Sequence, residues 1–140
     1  TDEAPKLPVI RHAFLEAEKH YDKQFDILVD LDATSPLRNV EDITGAYRQF
    51  VEEDADNLIT ACPSRKNPYF NMVEIKDSGI PVLSKKLDVS PKSRQEAPRV
   101  FDLNASIYIW KREVLIKEDN LITTKFFSSS FILSSDVPEI

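Results

Sequence analysis

The chain has 140 residues, 41% of them hydrophobic and 30% charged, which predicts one globular domain with a core of useful size. The formal net charge of −6 argues against general nucleic-acid binding, and no apolar run is long enough to predict a membrane span. The single cysteine, Cys62, excludes an internal disulfide framework and a cysteine-based zinc cluster, and no signal peptide is recognisable, which predicts a cytoplasmic protein.

The first half of the chain alternates helical and strand patterns. Apolar residues at helical spacing predict a helix over 9–21, and the short apolar run 27–29 predicts a strand buried on both faces. A second helix with Asn39 as its N-cap extends to about Glu53, and a second strand covers 57–62. This order predicts an α/β fold with a mixed, mostly parallel sheet. Ligands of such sheets bind beyond the carboxyl ends of strands, where the loop 32–38 lies.

The second half is less regular and carries a different charge. Prolines interrupt the stretch from 63 to 98, which predicts an irregular excursion with short extended pieces at 69–75 and 80–83. A strand from Leu103 to Trp110, a short helix over 111–117 and a last strand within 126–133 follow. Residues 65–99 carry eight basic and four acidic side chains, in an otherwise acidic chain. This segment suits a small anion, although a solvated surface explains the same charges.

Two motifs carry a specific resemblance to a known family. Thr34-Ser35-Pro36-Leu37-Arg38 directly follows the first strand, and Arg94-Gln95-Glu96-Ala97-Pro98 precedes Asn104-Ala105-Ser106-Ile107-Tyr108-Ile109. In this order and spacing they resemble the Thr-Ser-Pro-Leu-Arg, Arg-Gln-x-x-Pro and Asn-Gly-Ala-Ile-Tyr-Ile motifs of the acylneuraminate cytidylyltransferases, in the legionaminic or N-acetylneuraminic acid branch. With Asn-Pro-Tyr-Phe between the motifs, the resemblance covers nearly the whole chain.

The resemblance implies a fold and an activity. It implies an incomplete Rossmann-like three-layer nucleotidyltransferase fold in a single partial domain, residues 1–140, with residues of about 64–100 as a protruding dimerisation arm. The implied reaction transfers CMP from CTP to an acidic nine-carbon sugar, a nonulosonic acid such as N-acetylneuraminic or legionaminic acid, and releases pyrophosphate. Such enzymes are homodimers that serve cell-surface polysaccharide biosynthesis.

The resemblance also implies parts that this chain does not supply. Mg²⁺ is the implied cofactor, and its carboxylate ligands are expected outside this chain. The family's triphosphate-binding loop has no counterpart here, and two glycines in 140 residues leave little scope for a Gly-rich loop. The chain alone is therefore expected to be inactive.

The resemblance assigns individual site residues. Arg94 is expected to be catalytic by reaching into the neighbouring subunit's site, where a guanidinium suits a triphosphate or a sugar carboxylate. Substrate-binding roles are expected for six residues: Asp32, Thr34, Ser35, Arg38, Asn104 and Tyr108. The family has Gln-Pro where this chain has Asp32-Ala33, which leaves the sugar open, and glycine where this chain has Ala105.

Each assignment has an alternative. Arg38 could tie the loop to the next helix, Thr34 and Ser35 could shape the loop, and Tyr108 could be strand core. Asp30 and Asp32 share a strand face and could hold a metal, although loop capping is the simpler role. Two other functions also stay open: activation of another acidic sugar, a ketodeoxyoctonate, or a non-catalytic dimerising scaffold that binds sugar nucleotides.

Overall fold

The computed structural model describes residues 6–35, 37–93, 95–117 and 119, which fall into two compact units. The first unit comprises Thr1–Ala61 with Leu103–Ile140, and the second comprises Cys62–Asp102. In chain order the elements are α1 (Lys6–Tyr21), β1 (Ile27–Leu31), α2 (Val40–Glu52), β2 (Asn57–Pro63), β3 (Val73–Ile75), β4 (Pro81–Leu83), β5 (Phe101–Lys111) and α3 (Arg112–Lys117). The bounds of the helices and strands predicted in this range are confirmed to within a few residues. The predicted burial of the first strand on both faces is wrong, because Val29 and Leu31 of β1 are exposed. The strand predicted within 126–133 lies outside the described residues.

The sheet of the first unit has three described strands in the order β1-β5-β2. β1 runs antiparallel to β5, with Ile27 opposite Lys111. β2 also runs antiparallel to β5. The Lys111 N–H donates to the Asp56 carbonyl at 3.0 Å, and the Thr60 hydroxyl bonds both backbone groups of Ile107. The α/β class is confirmed, but the predicted mostly parallel sheet is wrong for the described strands.

The error has a topological cause. β1 and β2 point the same way, as a strand–helix–strand crossover requires, but β5 lies between them and is antiparallel to both. Hydrophobic alternation reveals that β5 is a strand and carries no information about its direction or its neighbours. The strand–helix–strand order in the sequence therefore agrees with the shared direction of β1 and β2, and it gives no sign of the antiparallel strand between them.

β5 supplies the core on both faces of this sheet, because successive side chains of a strand point to opposite sides. On one face its side chains pack against α1 and α3, in a buried cluster of Leu7, Phe14, Ile59, Tyr108, Trp110 and Leu115. On the other face they pack against α2, in a cluster of Ala46, Phe50, Ala55, Leu58, Ile107 and Ile109. The described helices thus lie on both faces of the sheet, the layering that the resemblance implied.

The start of α2 is set by a reciprocal capping box. The Asn39 Oδ1 accepts the Asp42 N–H at 2.8 Å, and the Asp42 carboxylate accepts the Asn39 N–H at 2.9 Å. Both bonds satisfy backbone N–H groups that a helix start leaves unpaired. Asn39 is confirmed as the N-cap, and it gives the loop after β1 a defined end.

Ala105 gives β5 an irregular backbone in its middle. Its φ of 51° lies in the left-handed region, which an L residue with a Cβ rarely adopts. The Asn104 Oδ1 spans it by accepting the Ser106 N–H at 3.2 Å and the Thr60 hydroxyl at 2.7 Å. The side chains of two strands therefore hold this conformation in place.

Replacing Ala105 by glycine is expected to raise the free energy of unfolding by about 0.5–1 kcal/mol, because glycine adopts positive φ without steric cost. Urea denaturation followed by circular dichroism measures the change. The matched control is Ala13→Gly on the exposed face of α1, where glycine should lower the free energy by about 1 kcal/mol. Equal destabilisation by both variants would show that the backbone at Ala105 is unstrained.

A two-point ion pair joins α1 to the start of α3. The Arg112 Nε lies 2.8 Å from the Glu18 Oε1, and its Nη2 lies 3.0 Å from the Oε2. The Phe25 N–H donates to the same carboxylate at 2.9 Å. These donors, Arg112 first and Phe25 second, lower the pKa of Glu18 below its ordinary value.

Acid is expected to destabilise the first unit through Glu18. Because its folded pKa is lowered, the pair's contribution is fully present above the unfolded pKa of about 4.3. It is lost as the pH falls through the lower, folded value. Urea midpoints measured from pH 7 to pH 2.5 should fall more steeply for the parent chain than for Glu18→Gln. The exposed Glu113→Gln is the control and should follow the parent curve; parallel curves for all three proteins would rule out this role.

The second unit contains a short hairpin and a buried asparagine. β3 and β4 pair antiparallel, with Val73 opposite Leu83, and Gly79 closes the turn between them with a φ of 76°. Asn67 is buried, and its backbone carbonyl accepts the N–H groups of three following residues. Its side chain donates to the Pro98 carbonyl at 2.9 Å. A dimerising role for this unit, like a single domain over residues 1–140, stays a prediction.

None of the described helices combines the length and apolar character that crossing a membrane requires.

Candidate functional site

The loop that carries the Thr-Ser-Pro-Leu-Arg motif closes on Asp32. The Asp32 Oδ1 accepts the Thr34 N–H at 3.0 Å and the Thr34 hydroxyl at 2.8 Å. The Asp32 carbonyl accepts the Ser35 N–H at 3.3 Å, and the Asp32 N–H donates to Ser106 of β5 at 3.3 Å. This is the loop-capping arrangement for which aspartate is favoured in turns. The Thr34 hydroxyl is committed to it as well.

A lysine from α1 reaches the same carboxylate. The Lys6 Nζ lies 3.1 Å from the Asp32 Oδ2 and 3.3 Å from the Asp30 Oδ2. It also lies 4.0 Å from the ring centroid of Tyr108. The Asp30 Oδ2 is buried without a well-aligned hydrogen bond among the described residues, so its contact with Lys6 is electrostatic. One ammonium therefore faces two carboxylates and an aromatic face.

These contacts shift the ionisation of both partners. The Thr34 N–H, the Thr34 hydroxyl and then the Lys6 ammonium hold the pKa of Asp32 well below its usual range. Burial by itself would lower the pKa of Lys6, but Asp32 and Asp30 outweigh burial, so this pKa is raised. Both groups are accordingly charged at neutral pH, and they form an ion pair at the end of β1.

Arg38 ties the loop to the sheet. Its Nη1 lies within hydrogen-bond distance of three backbone carbonyls, those of Asp32, Ser35 at 2.9 Å and Ser106 at 3.2 Å. One nitrogen of Arg38 therefore has a structural role, but it ties the loop to β5 and not, as the alternative had it, to the next helix. Its Nε and Nη2 have no hydrogen-bond partner in the described part of the chain and are reached by solvent. These two donors are available to a ligand.

Asn104 meets the loop from the opposite side, through Ser106. The Asn104 Oδ1 accepts the Ser106 N–H, while the Ser106 carbonyl accepts from Asp32 and Arg38. The Asn104 Nδ2 has no partner within the described ranges and is reached by solvent. Tyr108 is only 4% exposed, so its ring is strand core and contacts the site through Lys6.

The six predicted substrate-binding residues are thus connected, and two further residues connect them. Ser106 joins Arg38 and Asn104 through its backbone, and Lys6 joins Asp32 to Tyr108. Lys6 lies 26 positions before Asp32 in a different element, and no local pattern predicts that contact. Arg94, the predicted catalytic residue, lies outside the described residues.

The described residues do not fit a Mg²⁺ site. No group of three or more His, Cys, Asp or Glu side chains that could hold a metal occurs among them. Asp30 and Asp32, the pair considered from the sequence, already share the Lys6 ammonium, whose place a divalent cation would have to take. The implied Mg²⁺ and its ligands outside this chain stay a prediction.

The second unit has a small cavity of its own. It has a volume of about 200 Å³, and its lining includes Ser64, Asn67, Gln95, Arg99 and Phe101. The polar groups suit a small polar ligand, but the Asn67 side chain is already bonded to the chain around it. This cavity is therefore a weaker candidate than the loop after β1.

Two relatives align with most of the chain. The post-translational flagellin modification protein B of Campylobacter coli is 46% identical over 121 residues, which are 86% of this chain and 50% of that protein. The CMP-N,N'-diacetyllegionaminic acid synthase of Campylobacter jejuni subsp. jejuni is 50% identical over 120 residues, again 86% of this chain and 50% of the relative. The chain thus spans about half the length of these relatives. No protein-family model matches it.

Proposed function

We propose that this chain acts in the transfer of CMP from CTP to a nonulosonic acid, because it is similar to a CMP-N,N'-diacetyllegionaminic acid synthase, as its motifs predicted. Pyrophosphate is the second product, and N,N'-diacetyllegionaminic acid is the first acceptor to test. We place the reaction in the cytoplasm, in a homodimer that uses Mg²⁺. Its product serves the synthesis of cell-surface glycans.

The open donors around the loop support this proposal. Arg38 offers two guanidinium nitrogens, and Asn104 offers its amide nitrogen, all reached by solvent and unpaired within the described ranges. The remaining atoms of both side chains are held by the loop and β5, so the open donors are positioned before a ligand arrives. A fixed guanidinium suits the carboxylate of an acidic sugar, and an amide suits its acyl or hydroxyl groups. Binding to such preset donors requires little reorganisation.

The test is pyrophosphate release by the protein that carries this chain at the full length of its relatives. CTP and Mg²⁺ are supplied with N,N'-diacetyllegionaminic, N-acetylneuraminic and ketodeoxyoctonic acids in parallel. We expect turnover with a nonulosonic acid. Turnover with ketodeoxyoctonic acid alone would show that the substrate is that sugar and not a nonulosonic acid. A folded protein that releases no pyrophosphate with any of the three would favour the non-catalytic scaffold.

We propose in addition that Arg94 acts across the dimer. Exposed apolar side chains in the second unit support a covering partner, since Val73, Ile75, Ile80 and Val89 are each 58–82% exposed. We propose that a second copy covers these side chains and that Arg94 of one subunit acts in its partner's site. The guanidinium would there stabilise the negative charge of the phosphates.

Mixed dimers test this arrangement. Arg94→Ala and Arg38→Met subunits are each expected to lose most activity as homodimers. If Arg94 acts across the interface, a mixed dimer keeps one intact composite site and regains up to half of the parent activity. Mixed dimers that stay as inactive as both parents would exclude action in the partner's site.

A further inference from the structure

We propose that Lys6 is a positioning residue: it holds Asp32, and through Asp32 the Thr34–Ser35 turn, in the conformation that receives the acidic sugar. The inference rests on the proposed function for the identity of the ligand. The geometric part concerns Lys6 and the loop and stands on the contacts of this chain alone.

Lys6 is the first described residue of α1, and the first described turn contains no acidic side chain to pair with it. Its ammonium instead makes a contact outside the helix.

That contact is the carboxylate pair at the end of β1. Asp30 lies in β1 and Asp32 directly follows it, and both carboxylates face the Lys6 ammonium, so without a cation their charges repel. The Lys6 Nζ lies 3.3 Å and 3.1 Å from them, and its side chain is only 34% exposed. The ammonium donates to the Asp32 Oδ2, so the Oδ1 is left to accept the Thr34 N–H and the Thr34 hydroxyl.

Tyr108 fixes the ammonium from the other side. Its ring centroid lies 4.0 Å from the Nζ, and the ring is buried in the core of β5. A cation over an aromatic face is attracted to it, so the lysine contacts Asp30 in β1, Asp32 in the loop and Tyr108 in β5. Among the described residues, the charged and titratable groups that face Asp32 are therefore Lys6 from α1, Asp30 from β1 and Arg38 from the loop, with Tyr108 behind Lys6.

Loss of the ammonium is expected to release the loop. With Lys6→Met the two carboxylates repel, Asp32 turns towards solvent, and Thr34 loses its acceptor. An acidic sugar then meets a mobile loop and an uncompensated negative charge. We expect its KM to rise by about tenfold with kcat within a factor of about three, because binding is weakened and the chemistry is not.

The experiment pairs kinetics with amide NMR. Lys6→Met is compared with Lys6→Arg, which keeps a cation, and with Lys19→Met, a matched control on the same helix whose exposed ammonium pairs with Glu16. Kinetics are measured on the protein at the full length of its relatives. Hydrogen exchange and the pH titration of the Thr34 amide are measured on the same samples. Lys6→Gln, which removes the charge and keeps a polar side chain, replaces Lys6→Met if that variant does not fold.

The Thr34 amide decides the geometric part. In the parent the Thr34 amide should exchange slowly, and its chemical shift should report an Asp32 carboxylate that titrates well below the usual aspartate range. In Lys6→Met the amide should exchange faster, and the Asp32 midpoint should move up towards that range. Lys6→Arg should restore both, and Lys19→Met should change neither. An unchanged Thr34 amide in Lys6→Met overturns the inference, whatever the kinetics. If the Thr34 amide changes in Lys6→Met but the protein activates no acidic sugar, the proposed function is overturned, and the role of Lys6 in holding the loop is kept.

Discussion

Replacing Trp110 by alanine is expected to lower the free energy of unfolding by about 3–5 kcal/mol, the largest effect we expect of any single change. Trp110 is 0% exposed near the end of β5, where it packs with Leu7, Phe14 and Leu115. Its removal leaves a cavity between the sheet and two helices. Because it is the only tryptophan of the chain, urea unfolding is followed by far-ultraviolet circular dichroism.

Trp110→Phe is the matched control. The Trp110 Nε1 is buried without a hydrogen-bond partner in the described part of the chain, so phenylalanine removes an unsatisfied donor while keeping most of the ring. We expect this variant to lose less than about 1.5 kcal/mol. A loss as large as that of Trp110→Ala would mean that the indole nitrogen, through a bound water for example, carries the stability.

Arg38→Met is expected to lower the free energy of unfolding by about 2–3 kcal/mol. The guanidinium serves the carbonyls of Asp32, Ser35 and Ser106, and methionine fills similar space without donating to any of them. Limited proteolysis should then cut within 32–38, because the loop is no longer tied to β5. Urea denaturation and protease digestion measure the two consequences separately.

Arg48→Met is the control for this change. Arg48 is an exposed residue of α2, so its replacement should alter stability by less than about 0.5 kcal/mol. If Arg38→Met abolishes turnover while its stability and protease pattern match those of the control, the guanidinium acts on the ligand alone. Combined loss of stability and activity is expected, because one nitrogen holds the loop while two are open.

The elements of this protein follow from short-range sequence signals. Asn39 and Asp42 form the cap of α2 within one turn, and alternation along β5 places Tyr108 and Ile107 on opposite faces. The motif after β1 indicated the loop and a resemblance to the cytidylyltransferases, and a CMP-N,N'-diacetyllegionaminic acid synthase is among the relatives that align with this chain. Such signals work because helix caps, strand alternation and loop motifs involve residues only a few positions apart.

Only the tertiary structure decided how the strands pair and how the site is held. The insertion of β5 between β1 and β2 depends on contacts far apart in sequence, and local periodicity is the same for either strand direction. Lys6 meets Asp32 across 26 positions because α1 packs on the sheet, and not because of any local motif. The sequence by itself thus determined the elements, the loop and the resemblance to the aligned relatives. Long-range packing, which no local pattern encodes, decided the antiparallel sheet and brought Lys6 to the Asp32 carboxylate that also binds Thr34.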